Sequence, residues 1–501
     1  MNTAKNWLCR AAAGVLLGGA TLVTPQVQAV VDGITGTLTG NVRAFTLTAE
    51  HFNIKLPDGA AIPMWGYNGQ YPGPTLIINQ GETVQITLTN VSVPLPVSLV
   101  FPGHPGVTAS GGLAGILTRE TCDPATNATC TTGTVTYTFT ASQPGTYLYE
   151  SGSNPELEQE MGLFGTIVVR PAGFDKTVAA NRTAYGAGTG TEYDYEYLFV
   201  LSEIDPDLHW QVAGGNYAAV DNAAYHDTAW LINGRSGPDT MSPAAVPWLP
   251  HQPYNALPRT HPGEKVLMRM VGGGRKSHPF HHHGENSVII AQDGRLFDDP
   301  STPAADADLS RSDYTILTKP GQTYDAIWRW TGRALGWDVY GTDHDISPHP
   351  HGTCIYSDQG VLKDGVKGAP LPGAVADDLV DNETGQPAVS GRYAPGDGFH
   401  DATWEWCPNH GRSLADLGLV LPQNQDLTLG GFWSGSPLLG ASGNLPPGEG
   451  GLNANNAYVF IWHSHKEKEL TVNNIYPMGL LTMMFVEPFK DSAGMPIVIP
   501  R

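Results

Sequence analysis

The chemistry this sequence can offer is concentrated in two pairs of histidines. His463 and His465 are two apart in Tyr458-Val-Phe-Ile-Trp-His463-Ser464-His465, as are His281 and His283 in His278-Pro-Phe-His281-His-His283-Gly284. In an extended strand residues i and i+2 share a face, so each pair forms a two-pronged grip. Neutral imidazoles are the commonest protein ligands for copper and zinc, and two such strands side by side would bring four of them onto one ion. The bland alternative is a set of histidines bonded to one another and to water, with no ion.

Elements with period-2 alternation must position these pairs, and the chain supplies them in two blocks. Thr83-Val-Gln-Ile-Thr-Leu-Thr89 and Thr134-Val-Thr-Tyr-Thr-Phe-Thr140 alternate apolar and polar residues, with turns at Gln80-Gly-Glu82 and Gln143-Pro-Gly145. Short alternating runs between Gly/Pro turns, with 60 Gly and 40 Pro, indicate an all-β chain of Greek-key sandwiches. The expected organisation is one domain over 40–172, a Gly/Ala-rich linker over 173–191 and a second domain over 192–490. The stretch 331–456 breaks the alternation and reads as a loop-rich insertion. The blocks also repeat. Gln80-Gly-Glu82 matches Pro262-Gly-Glu264, and Leu148-Tyr-Glu150-Ser-Gly152 followed by Met161 lies over Ile461-Trp-His463-Ser-His465 followed by Met478. In this overlay Glu150 falls on His463 and Gly152 on His465.

Residues 1–29 read as a signal peptide: Lys5 and Arg10 precede the apolar run Ala11 to Val23, and Val27-Gln28-Ala29 suits cleavage. No other apolar run reaches the roughly 18 residues of a membrane span. The expected location is therefore exported, periplasmic or extracellular in a bacterium. The net charge of −21 repels nucleic acid and attracts cations. Beyond Cys9, four cysteines remain, and three pairings are open to them. Cys122 with Cys130 and Cys354 with Cys407 is the expected set, because each pair lies within one segment. Within the insertion, Asp343-His344-Asp345 and His349-Pro-His351 offer a second cation-binding loop or a solvated lid.

Tyr71-Pro-Gly-Pro74, the motif from His278 to Gly284, and His463-Ser-His465 with the downstream Met478-Gly-Leu480 make the chain resemble a multicopper oxidase built from two cupredoxin domains. Its ending also resembles domains of large bacterial manganese-oxidase-type multicopper proteins. By that resemblance His278 would be a type 1 copper ligand, His281 a type 2 ligand, and His283, His463 and His465 type 3 ligands. The family's cysteine is here Ser464, its next histidine is Glu469, and its first-domain histidines are Val100, Pro102, Glu150 and Gly152. A serine is a poor copper ligand where a blue site needs a thiolate. The resemblance thus implies one or two copper ions rather than four, with Glu150 an additional ligand, and zinc or another divalent metal suits the same imidazoles. It also implies a homo-oligomer, a trimer as in two-domain relatives, or a redox partner protein. Three functions stay open: an exported copper-binding protein, an oxidoreductase with a mononuclear or partner-completed centre, and a non-catalytic cupredoxin scaffold.

Overall fold

The structure, a computed structural model, describes residues 31, 33–302, 306–330, 457–487, 489 and 495–499, with four two-residue strand segments between 355 and 406. The expected signal peptide over 1–29, the cation-binding candidates of the insertion and the expected Cys354–Cys407 pairing lie outside the described residues.

Alternation builds two lobes with one topology. In the first, Val42–Lys55 runs parallel to Thr83–Asn90, which pairs antiparallel with Val135–Thr140. Its second sheet pairs Gly145–Glu150 with Phe164–Arg170, and the latter runs parallel to Gly73–Asn79. The second lobe repeats this pattern. Tyr195–Ile204 runs parallel to Lys265–Gly272, which pairs with Thr323–Arg329, while Tyr458–Ser464 pairs with Leu481–Val486. Both lobes are therefore cupredoxin-like sandwiches, and the chain is all-β apart from short helices. Cys122 and Cys130 are joined by a disulfide in a first-lobe loop.

Each sandwich buries its own core. In the second lobe Tyr458, Phe460, Trp462, Trp328 and Phe280 pack together, each fully or almost fully buried. At roughly 1.5–3 kcal/mol per buried large side chain, this aromatic layer fixes the register of the strands that carry the histidines.

The lobes are locked to each other. Glu196 takes Arg170 in a bidentate pair and Arg269 Nε at 2.9 Å, and Arg269 Nη1 reaches Thr146 Oγ1 at 3.0 Å. Thr146 Oγ1 donates to Asp325 at 2.6 Å, and Thr323 Oγ1 donates to Thr146 O at 2.6 Å. Burial alone would raise the Glu196 carboxyl, but the two guanidiniums outweigh it and hold it at about 2. The helix Pro206–Ala213 belongs to the second lobe, yet its Leu208 and Val212 enter the first-lobe core. The segment 173–191 is more than a linker, since Arg182, Thr183, Ala184 and Thr191 are buried.

Candidate metal centre

Strand parity decides which side chains meet. Tyr458, Phe460, Trp462 and Ser464 face the core, so His463 projects from the opposite face. On the neighbouring strand Phe280 faces the core and His281 projects outward. The antiparallel register sets Phe280 against Ser464, His281 against His463 and His282 against Trp462. Val459, Ile461 and His463 follow from alternation alone; the juxtaposition with His281 follows from the register.

On that outer face His281, His283 and His463 each bring one ring nitrogen to within 4.8 Å of the others. His281 Nδ1 donates to Tyr314 O at 2.8 Å and His463 Nδ1 to Ser464 O at 2.8 Å, which leaves both Nε2 atoms as lone pairs. His283 Nε2 lies 3.2 Å from His463 Nε2, and the buried His283 Nδ1 has no hydrogen-bond partner. Burial lowers His281 to about 4 and His283 to about 3, and lowers His463 as well. Three neutral imidazoles at close range, one with an unsatisfied buried nitrogen, fit a divalent or monovalent soft cation better than they fit one another. His465 is the open side of the group. Its ring is half-exposed and stands 4.7 Å from that of His281 and 5.4 Å from that of His463. The exposed Tyr314 ring stands edge-on to His281 at 5.6 Å.

His278, which the resemblance assigns to a different copper from the other histidines, stands apart from the cluster. It lies three positions from His281, so alternation puts it on the core side, away from the cluster. Its Nε2 donates to Glu203 at 2.8 Å and its Nδ1 to Glu469 at 3.0 Å, with all three side chains buried. Burial works against a charged ring, but the two carboxylates outweigh it and lift the imidazole to about 9. Both ring nitrogens are engaged by carboxylates, so neither is directed at the histidine cluster. Ser464 Oγ donates to the same Glu469 oxygen, and Lys466 Nζ stands 3.2 Å from the other. Glu203 and its role are absent from the sequence reading. Two acids, Glu196 and Glu203, in the otherwise largely apolar strand Tyr195–Ile204 were the available signal, because a buried carboxylate requires a partner.

Glu150 is not among the residues that converge on this centre. It belongs to the first lobe, bridges Val100 through the backbone, and is pushed up to about 7 by burial. The bridge between Val100 and Glu150 is the first-lobe counterpart of the pair His281 and His463. The likeness extends one residue further, since Ser151 donates to Glu158 as Ser464 donates to Glu469. With Val97 in place of an imidazole, Glu158 has no counter-charge there, and burial raises it to about 8.

Comparison with known proteins gives a consistent family. Residues 48–173 match the family model described as multicopper oxidase. An iron transport multicopper oxidase of Epichloe festucae is 34% identical over 150 residues, 28% of this chain and 22% of that protein. A copper-containing nitrite reductase of Neisseria gonorrhoeae is 28% identical over 151 residues, 30% of this chain and 35% of its own. The chain thus spans about a fifth to a third of the length of these curated relatives. Among solved structures, a blue copper oxidase from Nitrosomonas europaea is similar with a TM-score of 0.45 and 16% identity, covering 88% of this chain and 85% of that one.

Proposed function

We propose that the chain, whose residues 48–173 match the multicopper oxidase family model, is an exported copper-binding protein of that superfamily with one residual histidine site. The observation that carries this reading is the convergence of His281, His283 and His463 on one face, all neutral, with two of them oriented by backbone carbonyls. His465 completes the donor set from the solvent side. A bound copper ion would supply a redox-active Lewis acid, while the chain itself holds the rings, sets their tautomers and keeps one side open. One or two ions suit this set, and zinc would compete for the same nitrogens.

In this reading no blue-copper centre is formed. Ser464 stands where a thiolate would be needed, and Glu469 and His278 are engaged with each other. The oxidoreductase alternative draws on the open side of the site, where the half-exposed His465 and exposed Tyr314 leave room for a substrate or a second subunit. In a trimer, the face bearing Glu150 on one copy would cover the histidines of the next, with Glu150 as a further ligand.

Copper loading of the His463→Ala/His465→Ala variant tests the site: loss of uptake with retained fold is the expected result, and unchanged uptake would remove the ion from these histidines. Oxygen consumption with phenols, Cu(I) or Mn(II) separates the oxidoreductase from the binding protein. Metal-dependent trimerisation on gel filtration separates the partner-completed form from a single-chain site.

A further inference from the structure

We propose that the cleft between the two lobes binds a small organic anion carrying an apolar ring, of the class of aromatic carboxylates. The cleft measures about 620 Å³, within the range of small-molecule sites. The first lobe contributes Pro102, Gly103, Tyr147 and Leu148, and the second contributes Arg295 and Phe297 among others.

Its walls are preformed. The second-lobe turn Gln292-Asp293-Gly294-Arg295 has φ of +52° at Asp293 and +70° at Gly294, and Gly294 seats directly on Tyr147. A Cβ at Gly294 would lie 2.2 Å from the Tyr147 ring. On the other side Thr323 Oγ1 donates to Thr146 O at 2.6 Å, fixing the two strands that frame the opening. A ligand entering this cleft does not have to order it.

The chemistry of the lining selects the ligand class. The half-buried Phe297 offers ring surface and the exposed Pro102 extends it, over a floor that includes the buried Tyr147 and Leu148. Arg295 is exposed and, among the described residues, has no carboxylate partner. Arg311 lies 5.9 Å from the Phe297 ring and is equally unpaired among the described residues. Arg295 in the lining and Arg311 beside Phe297, itself a lining residue, give this face positive charge in a chain of net charge −21. The acid in the lining, Asp293, is occupied: it accepts from Thr323 N at 2.9 Å and from Gln292 Nε2 at 3.2 Å. A guanidinium fork pairs with a carboxylate bidentately, and the ring behind it fills the apolar part.

None of the lining residues belongs to the histidine centre, so this site stands or falls separately from metal binding. Calorimetric titration with benzoate, with benzyl alcohol as the uncharged probe, tests it. Benzoate is expected to saturate one site per chain, with benzyl alcohol and the Arg295→Gln variant each about tenfold weaker, the loss of one charge-assisted contact. The His463→Ala/His465→Ala variant is expected to bind benzoate as the wild type does. No saturable benzoate binding, equal binding of benzyl alcohol, unchanged binding by Arg295→Gln, or loss of binding in the histidine variant would each overturn the proposal.

Discussion

His281 and His463 stand directly opposite each other on adjacent antiparallel strands, with ring centroids 5.5 Å apart. The duplicated fold makes the same bridge in the first lobe, where Val100 faces Glu150. One scaffold position therefore carries a pair of metal-type donors in one lobe and an apolar residue with an acid raised by burial in the other. What the chain does follows from this asymmetry.

On the core side of the same strands, His278 is an ion-paired strut. Replacing it by Gln leaves the buried Glu203 without its positive partner and Glu469 with Lys466 alone, and a loss of about 3–5 kcal/mol is expected in urea unfolding. Its folded value of about 9 lies above the ordinary 6.5 or so of a free imidazole, so the His278 contribution is complete below the latter and fades as pH rises through the former. The gap in urea midpoint between wild type and His278→Gln should therefore narrow from pH 6 to pH 9.5. A gap independent of pH would mean that His278 is not charged in the folded state.

Glu158 is predicted to lose stability in the same pH direction, but through a proton that burial retains on an acid. Its carboxyl, raised to about 8 by burial, keeps its proton when folded at pH values where the unfolded chain has released it. Stability from this residue is present at low pH and declines as pH climbs through about 8. Glutamine imitates the neutral acid and still accepts from Ser151, so Glu158→Gln should match the wild type near pH 5 and exceed it at pH 9. Equal stability of the two proteins at pH 9 would show that the acid is ionised without cost.

The lobe junction hinges on Gly294. Alanine there must adopt φ +70° and press on Tyr147, whereas alanine at Gly321, with φ +71°, meets open space. Thermal unfolding should show a loss of about 1–2 kcal/mol for Gly321→Ala and a clearly larger one for Gly294→Ala. Similar losses would mean that the turn does not bear on Tyr147.

Much of this was legible in the sequence. Alternation in runs such as Thr83 to Thr89 gave the strands, and the matched Gly-Glu turns gave the duplication of the fold. The spacing of His281 with His283 and of His463 with His465 marked their shared face. The place of His278 apart from the cluster was legible too, in its even position against odd-numbered partners. Glu203 could not be paired by inspection, because its partners His278 and the Arg275 N–H lie 75 and 72 residues away along the chain. The free arginines beside Phe297 were equally hidden, since only the seating of the 292–295 turn against Tyr147 makes them a site.

The most direct test of the central reading is the metal content of purified protein loaded with Cu(II) and then dialysed. About one copper per chain, with no intense absorption near about 600 nm, is the expected result for a histidine site without a thiolate. Less than about 0.2 copper per chain, or a strong blue band, would contradict it.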